Sequence, residues 1–267
     1  MKINSLLAIV LLSSLCRAST ASQPVTTSPA EVLRQCQTMY AALHSYSETA
    51  NVTVHSPSGV VQQRIQLRVM KPNYLFISVT AEGGTREVCS NGKQFTVYAP
   101  SVNRYTMTQT APTLPGVLKL LAAHAQMGTI LNGLYFVAGG TLPHGVSNLR
   151  LVRTEQVKRH EFATVTAVIL AGKSKLHAKS VDVNWTWFIN TATHEIMRTD
   201  ALSSPFTIIM PILSKSKGKM VGHSVKMHVE VHSTVVKAAL NPSLLPSAFV
   251  IHMKPGAQRV GSLSAGR

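Results

Sequence analysis

The residues best suited to chemistry in this chain are His228, Glu230 and His232, which alternate along one predicted strand. Neighbours two apart on a strand share a face and lie about 7 Å from each other. Imidazole and carboxylate groups so placed could bind zinc for a metal-dependent hydrolase if another strand supplied more ligands, and His223 is close in sequence. The alternative is a solvated strand face, which we adopt: neither a metal nor a cofactor is predicted.

Compact catalytic motifs are missing from the sequence. It contains no Gly-x-Ser-x-Gly elbow, no phosphate-binding loop, no Cys-x-x-Cys and no His-Glu-x-x-His. With 10 Asp+Glu in total, and only Asp182 and Asp200 as aspartates, little is left for paired-carboxylate catalysis. We therefore expect a protein that is not an enzyme.

Apolar rows on alternating strands point instead to a binding surface. Ile65, Leu67 and Val69 share one face, and the next position on that face is Lys71, just before a Pro-Asn turn. A cation there is either the solvated end of the strand or a polar latch at the rim of an apolar concavity. The predicted apolar cavity and rim comprise Ile65, Leu67, Val69, Lys71, Leu75, Ile77, Phe95, Val97, Trp185, Trp187 and Ile189.

These rows need an antiparallel sheet to position them. Short alternating strands run from Ser45 to Tyr105, and Asn91-Gly92 is a strong hairpin signal within them. Two further hairpins are predicted over 149–170 and 181–198, and one long strand is predicted from Val225 to Val235. A last alternating segment, 249–252, precedes Lys254-Pro255-Gly256.

Two helices are predicted to cover this sheet. Ser28 and Glu31 form a capping-box pattern before the first helix, the second runs from about Val117 to Met127, and the strand pattern returns at Leu134. Nine or more strands with two helices predict a mainly β fold: an incomplete antiparallel β-barrel, or strongly curved sheet, lidded by helices. The apolar area of these strands is larger than two helices can cover, which favours a cavity. The alternative is that the same residues simply fill the core of the protein.

The N-terminus predicts export. Residues 1–21 have the charged start, apolar middle and small-residue end of a signal peptide, too short to span a bilayer. Residues 22–28 are a linker, 29–260 a single domain and 261–267 a disordered tail. We expect a soluble periplasmic protein.

The charge of the chain favours anionic partners. The sequence has 26 Lys+Arg against 10 Asp+Glu, a net charge of +16. An anionic membrane surface is one candidate partner, a merely well-hydrated surface is the alternative, and nucleic acid is not expected for an exported chain. The Lys-rich segment 215–219 is predicted to be a solvated loop.

Two cysteines remain beyond the signal peptide. Cys36 and Cys89 could form a helix-to-sheet disulfide, which the oxidising compartment permits. Alternatively, Cys36 lies on the apolar face of its helix and is a small buried hydrophobic residue.

The order of several short motifs resembles the periplasmic outer-membrane lipoprotein carrier, the LolA-like superfamily. That superfamily has a Lys/Arg-Pro-Asn turn, an Asp/Asn-Gly-Lys hairpin, a Tyr-x-Pro strand end and a closing segment that begins with an aromatic residue and has Pro and Gly at its end. The matching segments here are Ser45-Tyr46-Ser47, Pro57-Ser58-Gly59, Met70-Lys71-Pro72-Asn73-Tyr74, Ser90-Asn91-Gly92-Lys93, Val97-Tyr98-Ala99-Pro100 and 249–256.

The resemblance implies a half-barrel whose apolar concavity holds acyl chains beneath helices. It places Lys71 where the carrier has an arginine that latches the lid; lysine keeps the charge but lacks the planar fork. The chain is longer than a typical carrier, so it looks like a divergent member. The leading hypothesis is an exported carrier or chaperone for acyl chains of lipoproteins or lipids. The alternative is an envelope regulator or adaptor that binds a partner polypeptide.

Overall fold

The computed structural model describes residues 28–57, 59–124, 132–140, 146–157, 160–171, 181–213 and 220–263. The predicted signal peptide, all of the linker except Ser28, and the tail from 264 lie outside these residues. None of the described helices combines the length and the apolar character that a membrane crossing would need.

Three α-helices, one short 3-10 helix (Pro246–Ala248) and fourteen strands make up the described structure. The helices are α1 (Pro29–Ala42), α2 (Leu114–His124) and α3 (Asn132–Val137). The strands are β1 (Ser45–Ser56), β2 (Gly59–Met70), β3 (Tyr74–Ala81), β4 (Gly84–Asn91), β5 (Gln94–Ala99), β6 (Arg104–Gln109), β7 (Val146–Val157), β8 (His160–Ala171), β9 (Val181–Asn190), β10 (Ile196–Ser203), β11 (Phe206–Leu213), β12 (Met220–Met227), β13 (Glu230–Leu240) and β14 (Gln258–Arg259).

Twelve of these strands form one curved sheet that does not close. Its order is β14-β6-β5-β4-β3-β2-β1-β13-β10-β9-β8-β7, and every neighbouring pair is antiparallel except β14 with β6. The predicted fold class, an incomplete barrel or strongly curved sheet with few helices, is confirmed. The predicted Ser45–Tyr105 meander appears as β1–β6. The two predicted hairpins appear as β7–β8 and β9–β10.

Helix α1 begins where the sequence predicts. The Ser28 hydroxyl accepts a hydrogen bond from the Glu31 N–H at 3.2 Å, and Pro29 occupies the first helical position. The Glu31 side chain pairs with Arg34 and Gln35. Val32, Leu33, Cys36 and Tyr40 form the buried face of the helix and pack against the sheet.

The third helix was not predicted. Leu134, placed on a returning strand by the sequence, lies in α3, where Leu134, Phe136 and Val137 are all buried. Over so short a segment, the apolar residues Leu134 and Phe136 alternate as they would in a strand. The segment is nevertheless a helix, which packs against α1. The sheet therefore has one more helical cover than the sequence indicates.

The prediction of one long strand over Val225–Val235 is wrong. The segment forms two strands: β12 ends at Met227 and pairs with β11, and β13 begins at Glu230 and joins the large sheet between β1 and β10. The break is fixed by Ser203, whose N–H donates to the Val229 carbonyl at 2.9 Å and whose hydroxyl accepts from the Val229 N–H at 2.8 Å.

The C-terminal segment lies across the outer face of the sheet, not in a strand over 249–252. Phe249 is fully buried against Phe76 and Cys89, and its carbonyl accepts from the Cys89 thiol at 2.9 Å. Arg68 donates to the Ala248 carbonyl at 3.0 Å. Further along, Leu263 contacts the main apolar cluster, although 261–267 was predicted to be disordered.

Candidate functional site

The apolar residues of the predicted cavity all lie together on the helix-covered face of the sheet. Nine of them are at most 2% exposed, and Trp185 packs against them partly buried. The structure thus brings the rows into one surface as the sequence predicts. That this surface binds a ligand remains a prediction. The set is Ile65, Leu67, Val69, Leu75, Ile77, Phe95, Val97, Trp185, Trp187 and Ile189.

Burial along this face decreases from one end of the strands to the other. At the end that we call the closed end, Val69, Leu75 and Ile189 are 0% exposed beneath the helices. At the opposite end, the open end, Val54 and Val79 continue the same rows but remain partly exposed. The helices therefore leave an apolar margin accessible at the open end.

The two tryptophans of β9 connect the closed part of the face to this margin. Their rings stack with centroids 5.8 Å apart and an interplanar angle of 18°. Trp187 is 2% exposed, and Trp185, one step toward the open end, is partly exposed. The Trp187 Nε1–H is buried without a hydrogen-bond partner among the described residues.

Lys71 lies at the closed end and fastens α1 to the sheet. Its Nζ donates to the Ala41 carbonyl at 2.6 Å, in the last turn of the helix, and its backbone N–H donates to the His44 carbonyl at 2.9 Å. A cation at a helix C-terminus is favoured by the helix dipole. That Lys71 acts as a latch stays a prediction.

A buried polar network beneath the helices was missed in the sequence. The Ile196 N–H donates to the Tyr40 hydroxyl at 3.2 Å, the Tyr40 and Tyr46 rings meet edge to face at 5.4 Å, and the Tyr46 hydroxyl donates to Glu48 Oε2 at 2.6 Å. Tyr46 and Glu48 share the inner row of β1 with Ala50 and Val52. That alternation was the signal that could have placed a carboxyl group here.

Burial governs the protonation of this network. Removal from solvent raises the pKa of Glu48 above its usual range, and the hydrogen bond from Tyr46 lowers it by less. Desolvation, reinforced by the neighbouring Glu48 carboxylate, likewise raises the pKa of Tyr46. Helix α3 lies close above, since a Cβ on Gly133 would fall 2.9 Å from the Tyr46 ring and 3.1 Å from Glu48 Oε2.

The residues of the predicted zinc alternative do not share a strand. His228 is exposed in the link between β12 and β13, whereas Glu230 and His232 lie on the outer face of β13. The His232 ring contacts Asp200 at 2.8 Å and Glu230 at 3.0 Å. Among the described residues no group of three or more His, Cys, Asp or Glu has metal-binding geometry.

The two cysteines are free thiols on opposite faces of the sheet. Cys36 packs in the main cluster under α1, and Cys89 packs with Phe76 and Phe249 on the outer face. Because the sheet separates them, the disulfide alternative is not formed; Cys36 is the small buried residue of the other alternative, and Cys89 is buried as well. Burial raises the pKa of each thiol to about 12.

A groove of about 440 Å³ runs beside Phe95 at the β6 edge of the sheet. Thr106 and Thr108 line it together with Arg259, whose guanidinium donates to the Met107 carbonyl at 3.0 Å. Polar and apolar side chains thus line this groove together.

Residues 29–197, from α1 to β10, match the model of a protein family described as Predicted periplasmic protein (DUF2092). The chain belongs to the DUF2092 family. The family's description confirms the periplasmic location predicted from the N-terminus. Strands β11 to β14 lie beyond the part that matches the DUF2092 model. No curated protein matches this DUF2092 chain in sequence.

Solved structures similar to this DUF2092 protein include three with low identity. They are an uncharacterized conserved protein from Thermus thermophilus (11% identity, 86% of this chain and 97% of that one, TM-score 0.43), the Mycobacterium tuberculosis lipoprotein LppX (15%, 81% and 97%, 0.43) and a LolA superfamily protein from Nitrosomonas europaea (12%, 84% and 98%, 0.35).

Proposed function

We propose that the protein is a non-enzymatic periplasmic carrier or chaperone that binds the acyl chains of lipoproteins or lipids on its helix-covered apolar face. One observation carries this proposal. The apolar face is continuous from Val69 and Ile189 at the closed end to Trp185 and Val54 at the open end, and the helices leave its open margin partly exposed. An acyl chain is long, narrow and apolar, and it matches such a strip.

Hydrophobic transfer supplies enough free energy for this binding. Burying one methylene group contributes about 0.8 kcal/mol, so a chain of about fifteen methylenes gains roughly 12 kcal/mol before the cost of ordering it. Since the face is packed against α1 and α3 at the closed end, a chain that enters there must displace helix contacts. The open end, where Val79 and Trp185 are already accessible, is the proposed entrance.

The indole of Trp187 adds a polar anchor to this surface. A buried N–H without a partner costs about 1–3 kcal/mol. An ester or amide carbonyl at the head of an acyl chain would accept from Nε1 and recover that cost. This would fix the polar end of the cargo near the tryptophan pair, with the chain directed toward Ile189.

The test is binding of a fluorescent fatty acid to the purified mature protein, with mass spectrometry of co-purified lipid. Trp185→Glu places a charge at the proposed entrance, and we expect the affinity to fall by roughly tenfold or more, because an acyl chain would then be buried against a carboxylate. Asn184→Glu adds the same charge one residue away on the exposed outer face and should bind like the wild type.

Equal binding by the wild type and Trp185→Glu, both folded by circular dichroism, would overturn the site. A wild type that carries no lipid and binds no fatty acid would overturn the function. If it also co-purified with one stoichiometric polypeptide, the adaptor alternative would replace the carrier.

A further inference from the structure

Two arginines lie on the helix-covered face of the sheet near its open end. Directly paired residues of neighbouring antiparallel strands lie on the same face of a sheet. Arg86 of β4 pairs with Val79, which packs against the main apolar cluster. Arg104 of β6 pairs with Ala99 of β5, two residues along that strand from the buried Val97. Both arginines therefore belong to the helix-covered face, and Arg86 lies beside the partly exposed margin at Val79.

The register sets these arginines on either side of a small residue. Because Val88 pairs with Val97, Arg86 stands opposite Ala99, and Ala99 pairs on its other side with Arg104. Two strand spacings, about 10 Å, separate the backbones of the two arginines. Since the side chain of Ala99 is only a methyl group, the two long side chains have room to approach one anion between them.

The charge of these arginines is not matched by a carboxylate on the same face. None of the described positions of β2 to β6 on the helix-covered face is an aspartate or a glutamate. Glu87, the acid of β4, pairs with Tyr98 and lies on the opposite face. The Arg104 side chain is exposed and forms no ion pair with a described carboxylate. An anion at this margin would therefore meet positive charge and no opposing negative charge from these strands.

We infer that Arg86 and Arg104 form a binding site for the anionic headgroup of the cargo, a phosphate or a carboxylate attached to the acyl chain. A guanidinium presents its N–H groups in a planar fork that fits two oxygens of either group. With the headgroup between the arginines, the attached chain begins beside Val79, at the proposed entrance, and continues along the apolar rows. This inference rests on the proposed function and extends it by naming the class of lipid that the protein selects.

The test compares two lipids, lysophosphatidic acid and monooleoylglycerol, which share an oleoyl chain and a glycerol and differ by the phosphate. Both compete with a fluorescent monoacylglycerol for the purified mature protein, below the concentration at which they form micelles. The wild type should bind lysophosphatidic acid roughly tenfold more tightly, because charge-assisted hydrogen bonds form only with the phosphate. Arg86→Gln and Arg104→Gln should each remove most of this preference and leave the affinity for monooleoylglycerol unchanged.

Arg64→Gln is the matched control. Arg64 is exposed on β2 next to the buried Ile65, so it lies on the opposite face, and its substitution removes the same charge. This variant should retain the wild-type preference for lysophosphatidic acid. An equal loss in Arg64→Gln would assign the effect to the net charge of the protein and overturn the headgroup site.

The two proposals fail in different ways. Equal affinity of the wild type for the two lipids would overturn the headgroup site and leave the acyl-binding face in place. Failure to bind either lipid would overturn the proposed function and this inference with it. If Arg86→Gln did not fold by circular dichroism, Arg104→Gln, at an exposed position, would still decide the outcome.

Oleate distinguishes the two headgroups. Arg104→Gln that weakens lysophosphatidic acid but not oleate would assign the site to the phosphate of a phospholipid, and the reverse would assign it to the carboxylate of a free fatty acid. A folded Arg104→Gln that binds both anions as the wild type does would show that the arginines only solvate the margin, which would overturn the site.

Discussion

At the scale of single residues, the proposed acyl-binding face combines apolar rows with a carboxyl group. Glu48 occupies the same strand row as Ala50 and Val52, yet it carries a carboxyl group beneath α3. The Tyr46 hydroxyl satisfies one oxygen of that group. A half-buried carboxyl group held in this way makes the packing of the helices depend on pH.

Replacing Glu48 should change how stability depends on pH. The folded-state pKa of Glu48 is raised above the ordinary value of 4.5, so the folded state retains the proton more strongly than the unfolded chain. Below the pKa of Glu48 in the unfolded chain, this side chain therefore does not oppose folding. As pH rises from that value through the folded-state pKa, Glu48 progressively lowers the free energy of unfolding. Glu48→Gln keeps an acceptor for Tyr46 and removes the ionisation.

Urea unfolding from pH 4 to 8 tests this sign. The difference in free energy of unfolding, Glu48→Gln minus wild type, should grow in favour of the variant as pH rises. Glu82→Gln, which removes a carboxylate in the exposed β3–β4 turn, serves as the control and should show no such growth. A difference that is constant with pH would mean that Glu48 has the same pKa in the folded and unfolded chains.

At the scale of elements, the meander, the hairpins and α1 follow from the sequence, because alternation, Asn-Gly and capping signals are local. The break between β12 and β13 does not, because the alternation of apolar and polar residues runs on from Val225 to Val231 across the break. Only the pairing of Val229 with Ser203 ends one ladder and starts another. The apolar rows of the site were predictable for the same local reason. Helix α3 and the Tyr40–Tyr46–Glu48 network depend on contacts between distant segments.

The contact of Lys71 with α1 gives a prediction about the helical cover. Lys71→Met removes the ammonium that donates to the Ala41 carbonyl but keeps the apolar stem, and it should weaken the last turn of α1 by about 0.5–1 kcal/mol. Amide hydrogen exchange over 29–42 should become faster, and fatty-acid uptake should accelerate because the helix moves aside more readily.

Lys93→Met is the control. Lys93 is exposed in the β4–β5 hairpin, and its substitution changes the net charge of the protein by the same amount. If both variants exchanged and took up fatty acid at the wild-type rate, Lys71 would be only the solvated end of its strand.

At the scale of the whole molecule, we propose that residues 29–260 unfold as a single domain. Cys36 lies on α1, which contacts α3, β7 and β8, and Cys89 lies on β4 on the other face of the sheet. The two thiols thus report on different parts of the structure. Each is buried and has a pKa of about 12, so neither should react with maleimide in the folded protein.

Pulsed maleimide labelling through a urea titration tests this proposal, with the single variants Cys36→Ala and Cys89→Ala used to assign each signal. Both thiols should become reactive at the same urea concentration. Separate midpoints would indicate that the helical cover opens independently of the sheet. Labelling at one site without urea would contradict the burial of that thiol.

The position of β13 between β1 and β10 also dictates the order of assembly. The first six strands can pair as they emerge, but β1 obtains its second neighbour only when residues up to Leu240 are present. The sheet therefore has a high contact order at this seam, because β1 and β13 are far apart in the chain. Until β13 arrives, one edge of β1 is unpaired, and its backbone N–H and C=O groups are open to pairing with another strand.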